Sequence, residues 1–208
     1  MNIEGEHVFK GPRQDVWEMF YDPNILASAL PGTQKLDKVS ENEYDGIINI
    51  RIGPVAGAFT GKLTVSDENP PESCTLTVDG RGSPGFVKGV GHVHFDDQGD
   101  STTLMKYNGE VQIGGTLASV GQRMIDSVSK SMIRQGFDSL DKALEAKLAA
   151  KEGKAVEYKP PSETGFAAAV TKDMIKSKWE NTSTELRLIV LIVPIVIIVA
   201  LISYLLSP

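Results

Sequence analysis

At 208 residues the chain has room for one domain of ordinary size plus an appendage, and not for two full domains. Its 41% hydrophobic and 23% charged residues exclude a disordered chain and a polytopic membrane protein. Seven positive and six negative charges lie beyond Leu148, so the net charge of -6 leaves -7 on residues 1–148, a sign that repels phosphate backbones and argues against a nucleic-acid partner.

The N-terminus MNIEGEHVFK places acids early and has no long apolar run, so it does not read as a secretory signal, and the body is expected in the cytoplasm. Asn2 to Phe9 reads as a strand. Pro12 sits where a helix tolerates proline and opens one carrying Val16, Trp17, Met19 and Phe20. A second short helix is expected from Pro23 to Leu30, ended by Pro31-Gly32. Alternation then takes over. One parity holds Tyr44, Gly46, Ile48, Ile50 and Ile52, against Asp45, Ile47, Asn49 and Arg51. The same split recurs for Val55, Gly57, Phe59, Gly61, Leu63 and Val65, for Cys74, Leu76, Val78 and Gly80, and for Val87, Gly89, Gly91, Val93 and Phe95. It recurs once more for Met105, Tyr107, Gly109, Val111 and Ile113. This is an antiparallel meander with one dry and one wet face. From Thr116 to about Leu148 the period becomes helical, through Leu117, Val120, Met124, Val128, Met132, Ile133, Phe137, Leu140 and Leu144. The class is α+β: one curved sheet covered by one long helix.

Residues 149–186 read as a linker, with Pro160, Pro161, Gly153 and Gly165 among charges. Inside it Phe166, Val170, Met174, Ile175 and Trp179 form a weak stripe, equally compatible with a helix on a lipid surface and with a solvated tether. Residues 187–207 read as a transmembrane anchor. The 19 uncharged residues from Leu188 to Leu206 would reach about 28 Å as a helix, near the thickness of a bilayer core. Lys172, Lys176, Lys178 and Arg187 on the near side favour a single-pass protein at the cell membrane with residues 1–148 cytoplasmic.

The chemistry of the dry face is unusual in what it omits. Gly46, Gly57, Gly61, Gly80, Gly89, Gly91 and Gly109 all fall on the inward parity, where a packed core would place side chains. Two readings stand side by side: the glycines bend the sheet, or they leave a cavity between sheet and helix. The candidate lining of such a cavity is Tyr44, Phe59, Phe95, Met105 and Tyr107 from strands, with Met124, Val128 and Met132 from the helix; flexible methionine suits a lipophilic guest. No acid, base or histidine falls on the inward parity of these strands, which leaves little for acid–base catalysis. His92 and His94 share a strand face but alternate with Val93 and Phe95, so they are expected to face water and no metal site is assigned. His7 stands alone. With one cysteine, Cys74, neither an internal disulfide nor a thiolate zinc site can form. In the Gly82-Ser83-Pro84-Gly85-Phe86 turn, Phe86 is a candidate partner contact beside the plainer reading of a chain reversal.

The segments ALPGTQKL at Ala29–Leu36, GPVAGAFTGKL at Gly53–Leu63, GRGSPGFVKGVGHV at Gly80–Val93 and YNGEVQIGGTLASVGQRMIDSV at Tyr107–Val128 resemble the G-subunit family of carbon monoxide dehydrogenase. The resemblance covers about residues 1–145. It implies the helix-grip fold of the START-like (SRPBCC, Bet v 1-like) superfamily, a seven-stranded antiparallel sheet around a long C-terminal helix. It further implies a non-enzymatic protein without a covalently bound cofactor. Such a protein serves a molybdenum-containing carbon monoxide dehydrogenase-type hydroxylase at the lipid bilayer and carries a quinone or similar hydrophobic small molecule. A ligand-free docking or maturation adaptor for the same oxidoreductase is the alternative.

Overall fold

A computed structural model describes residues Met1–Gly153. The expected linker and transmembrane segment lie outside the described residues, apart from the first few linker positions. Strand β1 (Asn2–Phe9) leads into two short helices, α1 (Arg13–Met19) and α2 (Pro23–Ala29). Pro12 occupies the N-cap of α1, and its carbonyl accepts from the Val16 N–H at 3.1 Å. Asp22 caps α2, its Oδ1 accepting from the N–H of Asn24 at 2.8 Å and of Ile25 at 3.4 Å, with Pro23 at the first helical position. Six strands follow: β2 (Thr33–Lys38), β3 (Glu43–Ile52), β4 (Val55–Asn69), β5 (Ser73–Gly82), β6 (Gly85–Asp97) and β7 (Thr103–Gly114). A 3-10 turn, Gly115–Val120, precedes helix α3 (Gln122–Lys151).

The seven strands form one antiparallel sheet in the order β1-β7-β6-β5-β4-β3-β2. Every neighbour is sequential except β1, which the two helices carry to the free side of β7. Register preserves the expected faces, for example Tyr44 opposite Leu63 and Ile48 opposite Phe59. Two elements depart from the sequence reading. Strand β2, TQKLDK, has no apolar alternation and is not foreseen by the pattern. As an edge strand it needs only Leu36 against the interior and pairs through its backbone. The long helix starts at Gln122, not Thr116, because Gly121 at φ 90° breaks the run; Leu117 is buried from the 3-10 turn instead.

The core gathers at two ends of the sheet. At the α1 end Phe9, Val16, Trp17, Met19, Phe95 and Leu144 are buried together. Their rings meet edge to face, Phe9–Phe20 at 6.0 Å, Phe20–Phe95 at 5.3 Å and Trp17–Phe95 at 6.0 Å between centroids. Beneath them the fully buried Thr103 hydroxyl donates to the Gly11 carbonyl at 2.8 Å. Ion pairs tie α1 to the end of α3: Lys147 Nζ lies 2.9 Å from Glu18 and 3.6 Å from Asp15, which also pairs with Lys151. At the other end Ile52, Phe59, Leu117 and Val128 form a second cluster. Among the described residues no helix is long and apolar enough to cross a membrane.

Candidate functional site

Between the two clusters the glycines line up across the strands. Gly46 faces Gly61 and Gly61 faces Gly80, a row across β3, β4 and β5; Gly91 faces Gly109 across β6 and β7. A Cβ at Gly61 would lie 2.8 Å from the Gly80 Cα, and one at Gly109 would lie 2.5 Å from the Val90 carbonyl and 2.8 Å from the Gly91 Cα. At these two positions glycine lets neighbouring strands crowd together, which bends the sheet. Their partners differ. A Cβ at Gly80 or Gly91 would meet a single carbonyl oxygen, at 3.7 and 3.6 Å. Both readings of the glycines therefore hold, one glycine of each pair serving curvature and the other leaving space.

That space is a cavity of about 590 Å³ between the sheet and α3, a size suited to a small molecule. Its walls are almost entirely apolar, and among the described residues no Asp or Glu lines it. Of the residues singled out from sequence, Tyr44, Phe59, Met105, Tyr107 and Met132 line it. Phe95, Met124 and Val128 do not. Phe95 is consumed by the aromatic cluster at the α1 end, whereas Met124 and Val128 pack into the second cluster, Met124 with its sulfur against Gly53. Helical spacing identified the inward face of α3 but not the depth at which the hollow begins, one turn after Val128. The same stripe continues into the wall as Ile133, Phe137 and Leu140. Sequence reasoning missed the roof contributed by Phe20, Leu26, Ala29 and Leu30. Its one available signal was Gly136 inside α3, where a Cβ would sit 3.0 Å from the Ala29 carbonyl, so α2 and α3 meet there.

The polar groups near the hollow are mostly committed to partners. The Tyr44 hydroxyl donates to the Tyr21 carbonyl at 3.2 Å, and the Tyr21 hydroxyl donates to Glu68 Oε2 at 2.6 Å. Burial first, and the Glu68 hydrogen bond second, raise the Tyr21 phenol well above its ordinary pKa; burial also raises Tyr44 and Tyr107. Burial pushes the Cys74 thiol up to about 11, an inert sulfur at neutral pH. His7, isolated in the sequence, is not isolated in space. Its Nε2 lies 3.0 and 3.1 Å from the two Asp141 oxygens, and its ring stacks on Phe137 at 4.4 Å, clasping β1 to α3.

His92 and His94 lie on the wet face, bonded to Thr75 at 3.0 Å and Asp96 at 2.9 Å. Among the described residues no group of three or more His, Cys, Asp or Glu could hold a metal ion. Phe86 is 39% exposed, and its ring lies over Gly114, its cross-strand partner, where any side chain would collide with it. That covering contact accounts for its position within the sheet.

A conserved protein from Geobacillus kaustophilus is similar, with a TM-score of 0.67 and 32% identity over 70% of this chain and 95% of that chain. A START superfamily protein from Mycobacterium smegmatis has a TM-score of 0.54 at 10% identity, over 69% of this chain and 97% of that chain. The Zhui aromatase/cyclase from a Streptomyces species has a TM-score of 0.57 at 10% identity, over 75% of this chain and 99% of that chain. At 10% identity these last two likenesses establish the START-like fold and nothing more. No curated protein matches the chain. The profile of the carbon monoxide dehydrogenase G-subunit family, CoxG, matches residues 5–145, the span that builds the sheet, the hollow and most of α3, and the chain belongs to that family.

Proposed function

We propose that this protein is a membrane-tethered carrier whose hollow holds a lipophilic molecule, a respiratory quinone, and that it serves a molybdenum-containing carbon monoxide dehydrogenase-type oxidoreductase. The observation that carries the reading is the apolar cavity of about 590 Å³ kept open by Gly80 and Gly91. A core of this composition gains by filling such a void, so an emptied wall argues for a guest. A wall without acids favours binding over hydrolysis or cyclisation. Family membership supplies the link to carbon monoxide dehydrogenase. The uncharged stretch Leu188–Leu206 supports the tether, which raises the concentration of the binding domain at the lipid source without any new contact.

The test is mass spectrometry of lipids that remain with the full chain after purification from its membrane fraction. The carrier reading expects an isoprenoid quinone at near one per chain, and its loss when Gly80→Leu fills the hollow. A chain that never retains or takes up isoprenoid, yet still captures the oxidoreductase, would establish the ligand-free adaptor instead.

A further inference from the structure

An apolar hollow selects for hydrocarbon but gives no reason to prefer a molecule that carries oxygen. Most polar groups along the wall already have partners or face outward. Thr33 donates to the Leu30 carbonyl at 2.6 Å, Lys35 pairs with Asp37, Lys62 lies 3.2 Å from Glu43, and Tyr44 is bonded to Tyr21. His92 is held by Thr75, and Asn108 is exposed on the outer face. Tyr107 is different. It points inward from β7, lines the hollow, and makes no hydrogen bond to any described residue. Its ring lies over Gly5 of β1, where a Cβ would come within 2.7 Å of Cζ and would collide with the hydroxyl. On the helix side Phe137 holds it at 5.6 Å between centroids. A glycine below and a phenylalanine above thus fix a phenol in one place, so little freedom is lost when it binds. Burial raises its pKa, so the group keeps its proton and has an O–H available to donate.

We infer that the Tyr107 hydroxyl is the donor that receives the oxygen of the ligand's head at the β1–α3 side of the hollow, while the hydrocarbon part occupies the remaining apolar wall. The inference rests on the carrier reading and adds to it a specificity-determining residue. It selects a carbonyl-bearing ring over a hydrocarbon of the same shape.

Two probes separate the contributions: 2-methyl-1,4-naphthoquinone and 2-methylnaphthalene, which share a ring system and differ in the two carbonyls. Equilibrium dialysis with the full chain held in amphipol should give a preference for the quinone of about three- to tenfold, the range of one neutral hydrogen bond. Tyr107→Phe should erase that preference without lowering affinity for the hydrocarbon, and should shift the infrared carbonyl band of bound quinone upward. Tyr21→Phe, which removes a hydroxyl that donates to Glu68 and does not line the hollow, should leave the ratio and the band where they are. An unchanged ratio and band in Tyr107→Phe overturn the inference while the carrier reading stands, as does a loss that appears equally in Tyr21→Phe. If the wild-type chain binds neither probe, the carrier reading itself fails and takes the inference with it.

Discussion

The α1 end of the interior and the middle of the sheet lie under the same helix and draw on the same strands, yet one is solid and the other hollow. At the α1 end, inward positions carry Phe9, Val65 and Phe95, and α1 adds Val16, Trp17 and Met19. In the middle the same parity carries Gly61, Gly80, Gly91 and Gly109. Beside them α3 offers Met132, Ile133 and Phe137, which reach the wall without crossing the gap. The packed end holds sheet, α1 and α3 in register, so the middle can forgo side chains and still keep its shape. Stability and capacity are thus separated along one sheet.

Substitutions at the two regions should break in opposite ways. The largest effect is expected at the solid end: Phe95→Ala, at 1% exposure, should lower unfolding free energy by about 3–5 kcal/mol in denaturant titrations. The remaining folded protein should still take up ligand. Within the hollow region, the two glycines of one sheet should part company. Gly109→Ala drives a Cβ to 2.5 Å from the Val90 carbonyl and should cost about 1–3 kcal/mol. Gly80→Val should change stability by less than about 1 kcal/mol, yet reduce ligand stoichiometry, since its Cβ meets only the Val87 carbonyl oxygen, at an ordinary 3.7 Å, and the added methyls occupy the hollow.

Tyr21→Phe, at the border between the regions, should cost about 1–2 kcal/mol by leaving Glu68 without its donor. The phenol's pKa is raised in the folded state, so this difference should be present below the ordinary phenol value near 10 and disappear as pH rises beyond it. The smallest effect is expected on the wet face. Lys106 chiefly, with His94, holds the Asp96 carboxyl below its usual range. A lowered carboxylate stabilises the fold above its unfolded pKa and loses that contribution as pH falls through the folded one. Asp96→Asn should therefore reduce Tm slightly at neutral pH, and the two melting curves should converge in acid.

How much of this could be read from residues alone differs by element. Strands β3 to β7 were legible because one face is dry and the period is two. The inward glycines were legible on the same ground, as exceptions to a pattern. Strand β2 was not, since an edge strand held by backbone hydrogen bonds has no need of apolar alternation. The start of α3 was misplaced by six residues because Leu117 and Val120 continue the apolar spacing through a 3-10 turn; Gly121 carried the break. The pairing of His7 with Asp141, 134 positions apart, has no local signature at all.

The order of elements, the dry face and the omission of side chains from its middle are properties of the sequence by itself, because period and residue size are local quantities. Whether an omitted side chain meant crowding or space was decided only by tertiary structure. Register sets Gly61 against Gly80 and Gly109 against Gly91, and the bend then gives one glycine of each pair to the neighbouring strand and the other to the hollow. The same holds for Tyr107: its parity was written in the sequence, but its free hydroxyl depends on a glycine in β1 and a phenylalanine in α3 arriving on either side of it.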